Sequence, residues 1–133
     1  MPIQIVSSQD FEKQVKLAKL TMQAYWNVGQ RAFRFQAPLP EFRLTRINRI
    51  CGRAIYVRNV IAPSVMVLNP DFLKDEPVAA INNTIPHEIS HIIAGMLYGS
   101  AGHDTRWYQV MKIFGLNASP RSYRNYESPV HDR

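Results

Sequence analysis

Residues 85 to 95 read IPHEISHIIAG, an apolar stretch interrupted by His87, Glu88 and His91, three groups that are costly to bury. Around them Ile81, Ile85, Ile89, Ile92 and Met96 recur at spacings of four, four, three and four, the period of a helix with one apolar stripe. A helix is therefore expected from about Pro77 to Tyr98, with its stripe turned to a core. Pro86 lies inside it with no backbone donor and its ring against the preceding turn, so a kink or a restart is expected there. The polar groups are either surface residues on the other side of this helix or a site. His87 and His91 lie within about 40° of each other on a helix and can reach one cation. Glu88 is turned about 100° from His87, placed to address a water on that cation without ligating it.

The chain as a whole bounds what can surround this helix. Its 133 residues suffice for one domain with a core and not for two, so a single domain over residues 1–133 is expected, with 127–133 as a mobile tail. A hydrophobic fraction of 46% and a charged fraction of 20% exclude wholesale disorder. With no apolar run of about 18 residues and no charged-then-apolar start, the expectation is a cytoplasmic protein, neither secreted nor in a membrane. A single cysteine, Cys51, excludes an internal disulfide and a four-cysteine zinc site, which leaves His, Asp and Glu as metal ligands.

Phe11, Val15, Ala18, Met22 and Tyr25 mark a long first helix over about 8–35, capped by Ser7 or Ser8 and stopped by APLPE at 37–41. Three extended segments follow, Phe42–Ile47, Arg53–Arg58 and Ser64–Leu68, the last apolar on both faces and so an inner strand. Asn69-Pro70-Asp71 turns the chain into the next helical region. A further helix is expected over Thr105–Phe114, with Trp107, Val110, Met111 and Phe114 on its core face and Asp104 or Thr105 near its start. The fold class is thus α+β: a long N-terminal helix, a small three-stranded sheet, and the HExxH helix followed by one more.

The net charge of +6 suggests an acidic partner, nucleic acid first. Between Arg31 and Arg58 stand seven arginines and one acid, Glu41. Arginine's planar fork suits phosphate, which makes Arg43, Arg46, Arg49, Arg53 and Arg58 the candidate nucleic-acid contacts. The plainer alternative is a set of solvated strand and loop faces.

His87-Glu88-x-x-His91 is the HExxH arrangement of zinc peptidases. His103 follows twelve residues after His91 in the Gly-bounded loop GSAGHDTRW, where it can fold back as a third ligand and leave the open position a catalytic zinc requires. In the metzincin pattern the third His stands six residues after the second, and here Leu97 does. A downstream Glu as third ligand leaves only Glu127, and His103 is preferred to it. Asp104 either orients a ligand or caps the helix it precedes, the cap being preferred. Trp107 reads as core packing. Tyr98, Arg106 and Tyr123 are open alternatives for an oxyanion donor.

The block TIPHEISHIIAGMLYGSAGHDTRWYQVMKIFGL resembles the core of SprT-like metallopeptidases, the family that includes Spartan, and INRICGRAIYV with VMVLNPDFL resembles the strand pair that precedes it. The likeness runs over roughly residues 10–126 and is strongest in 84–116. It implies a zincin-like fold, one catalytic Zn²⁺ on His87, His91 and His103, Glu88 as acid/base, and protein substrates. It also implies action on proteins bound or crosslinked to DNA, with DNA that is single-stranded or has single-stranded features as a partner and a nucleoid-associated location. Many bacterial relatives carry a C-terminal four-cysteine ribbon; these residues hold none, so the expectation is the catalytic domain alone. Two rival readings remain: a non-catalytic zinc-containing nucleic-acid module, and a zinc peptidase serving a dedicated protein partner without DNA.

Overall fold

A computed structural model describes residues 8–116. Helix α1 (Ser8–Phe33) has Asp10 in its first turn and Arg31 in its last, matching its dipole, and buries Ala18, Met22 and Trp26. It stops two residues short of the expected end. Arg34 takes a left-handed φ of 56°, which turns Phe35 back onto Trp26 with ring centroids 5.4 Å apart, edge to face.

The three strands are β1 (Glu41–Leu44), β2 (Gly52–Ile55) and β3 (Val65–Leu68), in the order β1-β3-β2. β1 is parallel to β3 and β2 antiparallel to it, so the segment apolar on both faces is indeed the inner strand. Phe42, Met66 and Ala54 stand in register, as do Leu44, Leu68 and Gly52; this face meets the helices. Arg43, Val67 and Arg53 share the other face. Val67 is buried there, with Arg43 and Arg53 on either side of it in register.

β1 and β2 are shorter than their apolar runs suggest, because both chains are diverted. After Thr45 the chain must cross the end of β3 to reach its far side. Asn69 holds that crossing: its Nδ2 donates to the carbonyls of Ile47 and Ile50 at 2.9 and 3.0 Å, and its backbone N–H donates to that of Cys51 at 2.9 Å. Past Ile55 the chain is drawn to the C-terminal end of the HExxH helix, where the Asn59 N–H donates to the Gly95 carbonyl at 2.9 Å.

Asn69 also caps α2 (Pro70–Asp75), accepting from the Asp71 N–H at 2.9 Å. A helical turn α3 (Pro77–Ala79), a π-helical segment (Ala80–Thr84) and α4 (Ile85–Tyr98) then follow without a break. Of the kink or restart expected at Pro86, the restart is found. Thr84 and Ile85 keep helical dihedrals, and the Ile85 N–H reaches back five residues to the Ala80 carbonyl. The ladder changes register in this wide turn, so Pro86 falls in the first turn of α4, where its missing donor matters least.

Every residue of α4 from Ile85 to Met96 is buried. The helix packs against α1, against α5 (Thr105–Ile113) and against β2 and β3. It ends on Gly99 in the left-handed conformation, with the Gly99 and Ser100 N–H groups turned back to the carbonyls of Gly95 and Ala94 at 2.9 and 3.2 Å. Among the described residues no helix is long and apolar enough to cross a membrane.

Just past β2 the chain meets α4 where the Tyr56 ring lies on Gly95: a Cβ at residue 95 would run into the ring. Gly95→Ala must push the strand's end from the helix, and a loss of about 1–3 kcal/mol is expected, read as a lower urea midpoint. An unchanged midpoint would contradict this packing.

Candidate metal centre

The four-residue spacing on α4 brings His87 and His91 together with Nε2 atoms 3.0 Å apart. The loop after Gly99 returns His103 to them, its Nε2 3.2 Å from that of His87. These are the three residues among those described whose ligand atoms cluster as a metal ion requires. Tetrahedral zinc with bonds of about 2.0–2.1 Å sets its nitrogens roughly 3.3 Å apart, close to the spacings found. A proton between two such nitrogens satisfies one lone pair; a cation at their focus takes all three. The donor set therefore fits zinc, and beside His91 and His103 lies a cleft of about 290 Å³ lined also by Ala54, Tyr56 and Gly102.

Glu88 is fully buried beside this cluster, its Oε2 3.8 Å from the His87 Nε2. It lies between α4 and β2, where a Cβ on Gly52 would meet Thr84 Cγ2 at 2.8 Å and Glu88 Cγ at 3.3 Å. Gly52 thus gives the carboxylate its room. His87 is wholly enclosed, His91 is 8% exposed and His103 is exposed, so the centre runs from the core to the surface.

The loop that carries His103 is fastened from three sides. Tyr56 donates its hydroxyl to the Ser100 carbonyl at 3.3 Å. Arg58 sets both arms of its guanidinium on the Gly99 carbonyl at 2.9 and 2.7 Å. Ser100 Oγ donates to Asp104 at 2.6 Å, and Asp104 accepts the Trp107 N–H at 3.1 Å as the N-cap of α5. The preferred cap role of Asp104 is the one observed. Partial burial by itself would raise its carboxyl pKa, but the hydrogen bonds from Ser100 and from the backbone of Trp107, Arg106 and Ala101 outweigh it and hold the group below the usual range.

Sequence reasoning missed two residues here. Trp107, expected as core, is fully buried but also faces all three histidines. Helical period assigns a residue to a core face without saying what lies opposite. Tyr56 carried no signal beyond its place in an extended segment. Of the oxyanion alternatives, Arg106 lies over the Tyr98 ring at 4.2 Å, and neither lines the cleft; Tyr123 and Glu127 fall outside the described residues.

The five candidate nucleic-acid arginines are all exposed, and three have local partners. Besides Arg58, Arg43 forks onto Glu41 at 3.1 and 2.9 Å and Arg46 onto Asp71 at 2.8 and 3.0 Å. These hydrogen bonds and the attached positive charge lower the pKa of Glu41 and of Asp71. Exposed pairs of this kind contribute little to stability and can yield to a phosphate. Arg49 and Arg53 make no ion pair among the described residues. A larger cavity of about 850 Å³, between residues 46–50 and α2, contains none of the histidines.

The sequence model of the SprT-like family matches residues 18–126. The chain is 31% identical to Protein SprT of Vibrio parahaemolyticus over 104 residues, 77% of this chain and 60% of that one. It is 29% identical to Protein SprT of Shewanella oneidensis over 101 residues, 74% of this chain and 58% of that one. The alignments thus span about three fifths of these curated relatives' length. No solved structure matches.

With three nitrogens at one focus, His103→Ala leaves a two-ligand site. The substituted protein is expected to lose Zn²⁺ affinity by orders of magnitude in a chelator competition while keeping its helical circular dichroism. Undiminished affinity would assign the third position to another residue.

Proposed function

Because the chain belongs to the SprT-like family, we propose that it is a zinc-dependent endopeptidase acting on proteins bound or crosslinked to DNA. The observation that carries this reading is the convergence of His87, His91 and His103 beside a buried Glu88. A purely structural ion has no use for a carboxylate that stands next to its ligands without joining them.

Zinc held by His87, His91 and His103 would supply a Lewis acid for the scissile carbonyl and lower the pKa of the attacking water. Glu88 is the general base: it takes the proton of the attacking water and returns it to the leaving amine. Its burial between α4 and β2 keeps bulk water from the carboxylate. Ala54 and Tyr56 form the opposite wall of the cleft, so the polypeptide enters between β2 and the His103 loop.

For DNA, the support is the outward row of Arg43 and Arg53 on the sheet together with Arg46, Arg49 and Arg58 on the neighbouring loops. Arg49 and Arg53 are the first to engage phosphate, since they need release no local partner. The local engagement of Arg43, Arg46 and Arg58 favours the competing reading, a peptidase that works without DNA.

Glu88→Gln is expected to keep one equivalent of zinc and lower cleavage by about 10²–10⁴-fold, measured on a DNA-binding protein substrate with single-stranded DNA, double-stranded DNA and neither. Undiminished cleavage by this variant would sink the peptidase assignment. Equal wild-type rates in all three conditions would favour the DNA-independent reading. The double substitution Arg49→Ala, Arg53→Ala is expected to weaken DNA binding across sequences and to flatten the plot of log affinity against log salt by about one unit for each phosphate no longer neutralised; an unchanged slope would exclude these two arginines.

A further inference from the structure

We infer that Trp107 is a positioning residue for the metal centre: its buried indole is the common surface that fixes the planes of the three histidine rings. This rests on the metal-site reading above and adds to it a residue outside the ligand set.

The argument begins with a soft torsion. The last side-chain torsion of histidine joins sp³ to sp² carbon and has broad wells, so backbone placement alone leaves each Nε2 free to swing away from a shared focus. One contact per ring removes that freedom. The His91 ring lies nearly parallel to the indole, at 25° with centroids 5.5 Å apart. The His103 ring is tilted at 42° and closer, at 4.4 Å. The His87 ring meets it edge-on, at 67° and 5.0 Å. Three imidazoles from two segments of chain are thus referred to one rigid plane.

The indole is itself held at both ends. Its Nε1–H donates to the His87 carbonyl at 3.3 Å, across from α5 to α4, and its backbone N–H is capped by Asp104 at 3.1 Å. With no exposed surface it has no room to rotate. The bond to His87 adds support for His103, the exposed ligand on a loop: it ties Trp107, four residues on in the first turn of α5, to the helix that carries the other two ligands. Preorganising the rings before the ion arrives lowers the ordering cost of binding it, and supporting groups around metal ligands typically change affinity by about 10–100-fold.

Three variants separate this role from ordinary core packing. Trp107→Leu keeps apolar bulk and removes the plane; Trp107→Phe restores a plane without the N–H; Val110→Ala opens a cavity in the same helix at a fully buried residue of the core. Zn²⁺ affinity is measured by chelator competition, and the visible spectrum of the Co²⁺-substituted protein reports the ligand geometry. Trp107→Leu is expected to bind Zn²⁺ at least about tenfold more weakly and to alter the Co²⁺ bands, Trp107→Phe to recover most of both, and Val110→Ala to lower the melting temperature of the metal-free protein with affinity and spectrum unchanged. Wild-type affinity in Trp107→Leu would overturn the inference and leave the metal centre standing. So would an equal loss in Val110→Ala, or no recovery in Trp107→Phe. Failure of the wild-type protein to bind Zn²⁺ would overturn both.

Discussion

The arrangement depends on one constraint, the burial of α4 over its full circumference from Ile85 to Met96. A helix with one apolar stripe can lie on a surface, but one with no exposed side must be enclosed, and α1, α5 and the inner sheet face are the enclosure. His87 and Glu88 are therefore held where water cannot solvate them, which is expensive unless something else satisfies them. A cation at the focus of the imidazoles would meet that need and make the carboxylate beside it a favourable neighbour. The same burial that would penalise the polar groups singly makes them useful as a set.

Around the C-terminal end of α4 the chain ties distant segments to one place. Tyr56, Arg58 and Asn59 come from beyond β2; Gly95 and Gly99 belong to the helix and its end; Ser100 and Asp104 lead to α5. The loop bearing His103 is thus steadied by groups outside the histidine cluster. Arg58 has a double standing in this arrangement. It belongs to the basic cluster, yet its guanidinium rests on the carbonyl that starts the ligand loop, so surface charge and the site share a residue.

Much of this was legible in the sequence, and the rest was hidden for identifiable reasons. The His87–His91 spacing and the Gly-bounded loop around His103 led to the cluster because helical geometry and a short return are local properties. The inner position of Val65–Leu68 followed from apolar side chains on both faces. Strand ends were misjudged because Thr45 and Tyr56 look like strand residues, while their departure is caused by Asn69 and Gly95, which are distant in the chain. The facing of Trp107 onto the histidines, and the lodging of Glu88 against Gly52, are contacts between segments that periodicity cannot pair. The local partners of Arg43, Arg46 and Arg58 were equally out of reach, since a basic run reveals its charge and not its company.

The π-helical turn at Ala80–Thr84 has a consequence for how the molecule tolerates change. It amounts to one residue more than an α-helix would use, inserted where the ladder re-phases before Pro86. A wide turn of this kind takes up its extra residue within itself, so the helix on either side keeps nearly the phase of an uninterrupted one. Losing a single residue there would return the segment to ordinary helix and carry its hydrogen-bond ladder straight into Pro86, which has no donor to give and a ring that crowds the preceding turn. The wide turn is thus what lets a proline stand immediately before the first histidine. Chain length at 80–84 and the proline at 86 depend on each other: shortening this stretch by one codon asks for a different residue at position 86 as well.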